Sequence, residues 1–256
     1  MSSDGVDDYD LDAGPDPATF AAANPEDPAP DDPVHAVGIG PGNLDFLTPR
    51  GRRAIEAADV VVGFETVIEF VAEVTDAELL TCGYSDEAEA LSAFADRVGD
   101  GASGAAALMG DPNHSGYQFV GKVKRAVDRP VRIVPGISSL QVAASRARTP
   151  MEGAAFVTLH KSGDLGGDLV RLHESVGDRH LLVLPRPFDW MPGDVAADLL
   201  DAGASSSLDA LVLERLTHDD ESVTRTTLGR LADHAGSGKE GTPFSDLSVL
   251  VVRKGI

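Results

Sequence analysis

Along most of this chain, short apolar runs alternate with longer stretches whose apolar residues recur at helical spacing. The runs Val34–Ile39, Asp59–Gly63, Glu78–Thr81, Gly104–Met109 and Val131–Val134 predict buried strands. Between them, Arg50–Ala58, Glu65–Val74, Glu87–Val98, Gln118–Val127 and Ser138–Arg146 predict helices. Thr48-Pro49 reads as an N-cap followed by proline at the first helical position. Strict strand–helix alternation predicts an α/β half built on a mostly parallel sheet.

The pattern then changes. Ala154–His160 and His180–Leu184 predict strands, with helices near Leu165–Val176 and Val195–Ala202. Ala210–Arg215, Ser222–Thr227 and Leu247–Val252 are three further strands with one short helix among them, which predicts a mixed sheet with antiparallel members. Pro150 and Gly153 make Thr149–Gly153 the expected boundary, giving α/β domains over 34–148 and 149–256. No internal repeat is visible. Residues 1–33 differ from both: many aspartates, six prolines from Pro15 to Pro33, and no Lys or Arg. Such a segment buries too little apolar surface to offset its ordering entropy, so a disordered acidic tail is expected. A role for it in partner binding stays open.

Composition narrows the class. Of 256 residues 42% are hydrophobic, enough for a sizeable core, and the net charge is -21. The excess acid reads as a solvated surface and, in its strong form, as adaptation to high salt, the expectation being a halophile's cytoplasmic protein. No basic stripe appears, which argues against nucleic-acid binding. No apolar run approaches the ~20 residues of a membrane span, and the acidic N-terminus is unlike a secretory signal. The single cysteine, Cys82, excludes an internal disulfide and a Cys-cluster metal site. His35, His173, His180, His218 and His234 lack ligand spacing, so no protein-bound metal is expected.

Three loops carry candidate chemistry. The first strand runs into Gly38-Ile39-Gly40-Pro41-Gly42-Asn43, where missing Cβ atoms would let a ligand approach the backbone. A dinucleotide fingerprint would need a glycine at Asn43 and a helix starting inside the turn. Here the helix waits for Thr48-Pro49, which weakens an NAD or FAD reading; a purely structural turn stays open. Met109-Gly110-Asp111-Pro112-Asn113-His114-Ser115-Gly116 follows the fourth strand, and alone it fits an ordinary Asp/Gly turn equally well. Val134-Pro135-Gly136-Ile137-Ser138-Ser139 follows the fifth, where Ser138 also suits a plain N-cap. All three loops leave the carboxyl ends of strands in one sheet, where open α/β folds bind their ligands.

In this order, GIGPG, GDP and PGISS resemble the motifs of the tetrapyrrole methylase family, and the resemblance runs from Val34 to about Val252. Leu44–Ala58, Asp59–Gly63, Thr158-Leu159-His160, Glu214–Thr217 and Phe244–Ser248 are most similar to the branch that methylates C(5) of cobalt-precorrin-7. The resemblance implies two α/β domains with the cofactor cleft between them, S-adenosylmethionine as cofactor, a corrinoid tetrapyrrole as substrate, and a homodimer. It implies a cofactor lined by Gly40, Pro41, Gly42, Met109, Gly110, Asp111, Ser138 and Ser139, with Leu184, Pro185, Leu216 and Thr217 enclosing adenine. His160 is the candidate general base or substrate contact, against the alternative of a histidine bonded to a loop carbonyl. His114 stands where relatives commonly have an aromatic residue. A polycarboxylate substrate calls for local cations, and arginine suits carboxylates. Arg50, Lys161 and Arg186 are the substrate-binding candidates, with Arg146 and Arg215 near further loop ends; each alone also fits a solvated charge. A separate decarboxylating C(15)-methyltransferase is a candidate partner, because the fused domain of some relatives is not in this sequence. The alternatives are another methylase of the family, such as an earlier precorrin methylase or a diphthine synthase, and a non-catalytic tetrapyrrole-binding protein.

Overall fold

The computed structural model describes residues 31–83, 85–161, 163–187, 189–236 and 241–255, so the expected acidic tail lies, up to residue 30, outside the described residues. The chain divides into two compact units, one ending at Ser138 and the other beginning at Ser139.

The first unit holds strands β1 (Val34–Gly38), β2 (Val60–Phe64), β3 (Glu78–Cys82), β4 (Gly104–Leu108) and β5 (Val131–Val134). They form one sheet in the order β3-β2-β4-β1-β5, with every pairing parallel. Helices α1 (Pro49–Glu56) and α2 (Glu65–Val71) pack on one face, where Ile55, Val67 and Ile68 meet Val37, Val61 and Ala105. Helices α3 (Glu87–Gly99) and α4 (Tyr117–Ala126) cover the other, where Phe94, Phe119 and Val120 meet Ala36, Val60 and Val62. Successive strand residues point to opposite faces, so a run such as Val60-Val61-Val62 feeds both cores. From β1 the chain crosses to β2 on one side, and from β4 to β5 on the other. The loops after β1 and β4 therefore leave the sheet at its topological switch point.

Between α3 and α4, Lys122 Nζ reaches Glu87 Oε2 at 2.5 Å, both side chains at most 10% exposed. Beside this pair, burial and then the Glu87 and Asp86 carboxylates push the Cys82 thiol up to about 12. The buried thiol stays protonated and inert at physiological pH.

The second unit begins with α5 (Ser139–Ala147), whose Leu140, Val142, Ala143 and Ala144 are buried. This helix packs on β7 (His180–Leu184) and β10 (Ser248–Val252), which is why the units divide ahead of Pro150–Gly153. Then come β6 (Ala154–Thr158), α6 (Gly166–Ser175), α7 (Pro192–Asp201), β8 (Asp209–Glu214), β9 (Ser222–Thr227) and α8 (Leu228–Ala232). The sheet order is β6-β7-β10-β8-β9, with β6 and β7 parallel and the other pairs antiparallel. This is the mixed sheet that the sequence pattern predicts. Its core gathers Leu172, Leu181, Val183, Val195, Leu199, Val212 and Leu250.

Three local features depart from the pattern. A single 3-10 turn, Leu44–Phe46, precedes α1, and Asn43 Oδ1 caps it by accepting from Asp45 N–H at 2.8 Å. Thr48 caps α1 as expected, accepting from Gly51 N–H at 3.0 Å. The GDP loop turns into α4 through a π-helical turn, Pro112–Gly116, a geometry that recurs at functional sites. Helix α7 starts at Pro192 rather than Val195: proline suits the first helical position, and Asp194 Oδ2 accepts from Met191 N–H at 3.0 Å.

Candidate active site

The three glycine-bearing loops of the first unit meet at the carboxyl ends of β1, β4 and β5, and their glycines pack on one another. A Cβ on Gly38 would lie 2.5 Å from Gly110 O and 2.7 Å from Gly136 N. A Cβ on Gly136 would overlap Gly110 O and lie 2.7 Å from Gly38 C. Gly38 and Gly136 thus serve backbone-on-backbone packing, not the approach of a ligand to those two positions. Gly40 and Gly110 pair as an isolated antiparallel bridge, with Gly110 N–H donating to Gly40 O at 2.7 Å. Gly40, Gly42 and Gly110 have φ of 93°, 128° and 67°, which residues with a Cβ rarely adopt. Pro41 and Gly42 are buried in the same turn.

Asp111 ties two of these loops together. Its Oδ1 accepts from Asn113 N–H at 2.8 Å and its Oδ2 from Gly136 N–H at 3.0 Å. The carboxylate is buried and bridges the β4 and β5 loops. Met109 packs against the core on the α1 side. Ser138 is buried at the end of the third loop, and Ser139 opens α5. His114 lies partly buried in the π-helical turn. The structure therefore gathers Gly40, Pro41, Gly42, Met109, Gly110 and Asp111 with the third loop. Arg50 stands apart, at the start of α1. There it lines a cavity of about 330 Å³ with His35, Arg53 and Ser103. Burial, then Arg50 and Arg132, hold the His35 imidazole below its ordinary value.

In the second unit β6, β7 and β8 all point the same way, so their carboxyl ends share one edge of the sheet. His160 follows β6 there, at the centre of a three-residue turn closed by Lys161 N–H to Leu159 O at 2.8 Å. Its side chain keeps an open solvent-facing side, although protein atoms crowd it closely. Desolvation holds its pKa below the usual value, with the Asp246 carboxylate pulling the other way. That shift favours the neutral imidazole, the form able to accept a proton. Leu184, at the end of β7, accepts from Leu159 N–H at 2.8 Å and carries the chain into Pro185.

Leu216 and Thr217 lie beyond β8, inside the turn Arg215–His218, which closes with His218 N–H to Arg215 O at 3.0 Å. Thr217 has φ 72° and Arg215 φ 49°. A positive φ at the third turn residue is the type II geometry that glycine normally fills. A β-branched residue there is strained by about 1–3 kcal/mol, and such strain concentrates at functional sites. Glu221 Oε2 accepts from Thr217 N–H at 2.8 Å.

Four of the five expected cations already have partners in their own unit. Lys161 Nζ reaches Asp168 Oδ2 at 2.6 Å, both side chains 11% exposed. Arg186 forks onto Asp189 at 2.6 and 2.7 Å. Arg146 reaches Glu221 at 2.6 Å, and Arg215 reaches Asp220 at 2.5 Å. Sequence reasoning gave no role to Glu221, which sits outside every motif, or to Asp246, which lies within Phe244–Ser248 but reaches His160 only through the fold. Among the described residues no three His, Cys, Asp or Glu side chains cluster as metal ligands, and no helix is long and apolar enough to cross a membrane.

The chain resembles proteins of known kind along most of its length. It is 26% identical over 203 residues to the probable cobalt-precorrin-7 C(5)-methyltransferase of Methanocaldococcus jannaschii, covering 78% of this chain and 92% of that protein. It is 26% identical over 210 residues to the cobalt-precorrin-4 C(11)-methyltransferase of Priestia megaterium, covering 78% and 81%. The solved methyltransferase CobJ superposes with a TM-score of 0.70 at 18% identity over 88% of this chain and 95% of that one, a likeness of fold. The sequence profile of the Tetrapyrrole (Corrin/Porphyrin) Methylases spans residues 33–232. With that span, and with the GIGPG, GDP and PGISS loops meeting at the switch point of its first sheet, the chain belongs to the tetrapyrrole methylase family.

Proposed function

We propose that this protein transfers the methyl group of S-adenosylmethionine to C(5) of cobalt-precorrin-7. The coarser statement follows from family membership: it is an S-adenosylmethionine-dependent methyltransferase acting on a tetrapyrrole or corrin precursor. One observation carries the reading. Three loops leave parallel strands at a switch point and are locked together by glycine packing and by Asp111.

When bound, S-adenosylmethionine supplies a methyl group already activated on a sulfonium. The residues suit that task, since the site holds shaped backbone and few ionisable groups. Gly40, Pro41, Gly42, Met109, Gly110, Asp111, Ser138 and Ser139 would hold the methionine and ribose parts. Leu184, Pro185, Leu216 and Thr217 would enclose the adenine. Their work is orientation, which can contribute on the order of 7–11 kcal/mol. Neutral His160 would take the proton released after methyl transfer, worth roughly 10²–10⁴-fold where such a base acts. His114, Lys161 and Arg186 would meet the substrate, whereas Arg50 is held apart at its own cavity; Lys161 and Arg186 would do so by exchanging Asp168 and Asp189 for substrate carboxylates. The match to the M. jannaschii protein over 92% of its length supports C(5). The equal identity to the P. megaterium protein supports C(11) of cobalt-precorrin-4 as the second reading.

Calorimetric titration with S-adenosylhomocysteine, in low and in molar salt, tests the cofactor assignment. Saturable one-to-one binding is expected, and absence of binding in both buffers would overturn it.

A further inference from the structure

The turn that bears Leu216 and Thr217 is held from outside by a pair of charges that no motif contains. Glu221 Oε2 accepts from Thr217 N–H at 2.8 Å, and Glu221 Oε1 accepts from Arg146 Nε at 2.6 Å. Arg146 Nη2 lies 3.4 Å from Oε2, so the guanidinium fork backs the same carboxylate. Glu221 N–H in turn donates to His218 O at 3.1 Å, fixing the acid relative to the end of the turn. The acid is only 21% exposed, while Arg146 reaches it from α5, far away in sequence.

We propose that Glu221, braced by Arg146, is a positioning residue: it holds Thr217 in its left-handed conformation and so sets how the turn presents Leu216 and Thr217 to the cofactor. Threonine does not choose φ 72° by itself. Released from Glu221, its backbone relaxes toward the extended region, and the main-chain atoms of Leu216 and Thr217 move with it. Arg146 keeps the carboxylate ionised and aimed, since a charged acceptor holds an amide more strongly than a neutral one. The cofactor side of this inference rests on the reading of Leu216 and Thr217 given above. The clamp itself does not.

A double-mutant cycle separates the two. Glu221→Gln is expected to weaken S-adenosylhomocysteine about tenfold, the scale of losing one charge-assisted hydrogen bond. Glycine adopts a positive φ without strain, so in a Thr217→Gly background the same change should cost less than about threefold. Arg146→Lys, which keeps the charge but loses the fork, should give an intermediate loss in the threonine background. Melting temperatures of the parent, the two single variants and the double variant form a ligand-free cycle. In it, Glu221→Gln should lower the melting temperature more in the threonine background than in the Thr217→Gly background. Equal effects in both backgrounds, or unchanged affinity and melting temperature in Glu221→Gln, would overturn the clamp. A normal stability cycle in a protein that binds no S-adenosylhomocysteine would overturn the cofactor reading and leave the clamp standing.

Discussion

Asp111 and the glycines around it show how a motif divides its labour. The GDP loop invites a reading in which the acid touches the ligand, yet both Asp111 oxygens already accept backbone N–H groups, one from its own loop and one from Gly136. The acid fixes the shape of the site whatever further contact it makes. The same holds for Gly38 and Gly136, whose missing side chains make room for neighbouring backbone. Gly136→Ala would force a methyl into Gly110 O and Gly38, so we expect a loss of about 3 kcal/mol or more in urea unfolding. A loss below about 1 kcal/mol would show that the loops can part. That glycine matters here was legible in the sequence; that it matters for packing was not, because the partners lie on separate loops. Thr217 was harder still, since nothing in a threonine's identity announces a positive φ.

Strands were readable because each apolar run is short and bounded by turn residues, and the parallel sheet followed from regular alternation with helices. The change to antiparallel pairing also followed, because only one short helix stands among Ala210–Arg215, Ser222–Thr227 and Leu247–Val252, and the link between the first two is too short for a crossover helix. Where reading failed, a proline opened a helix rather than breaking one, as at Pro192, or an Asx side chain capped a turn, as at Asn43. Pairings across the sheet faces were invisible. Nothing in the sequence marks Lys122 on α4, yet it is the counter-charge of buried Glu87 on α3. Removing it leaves an uncompensated carboxylate between helices, so Lys122→Met should cost about 3–5 kcal/mol. The double change Lys122→Met with Glu87→Gln should recover much of that in the same unfolding assay. A single-variant loss under about 1 kcal/mol would contradict the pairing.

Taken as one chain, the protein is strongly acidic, and the substrate proposed for it is acidic too. Twenty-one basic residues face forty-two acidic ones, and Lys161, Arg186, Arg146 and Arg215 are matched by carboxylates within their own unit. On the proposed function, long-range attraction would not recruit a polycarboxylate, and recognition would fall to short-range exchange of ion-pair partners. Molar salt shortens the repulsion to about 3 Å, which suits the expectation of a salt-adapted protein. The most direct test supplies cobalt-precorrin-7 and S-adenosylmethionine carrying a labelled methyl group, in molar salt, and reads the product by mass spectrometry and by NMR of the label. The account predicts one labelled methyl per product molecule, attached at C(5). No mass gain, or a label on another ring carbon such as C(11) of cobalt-precorrin-4 supplied in parallel, would contradict it.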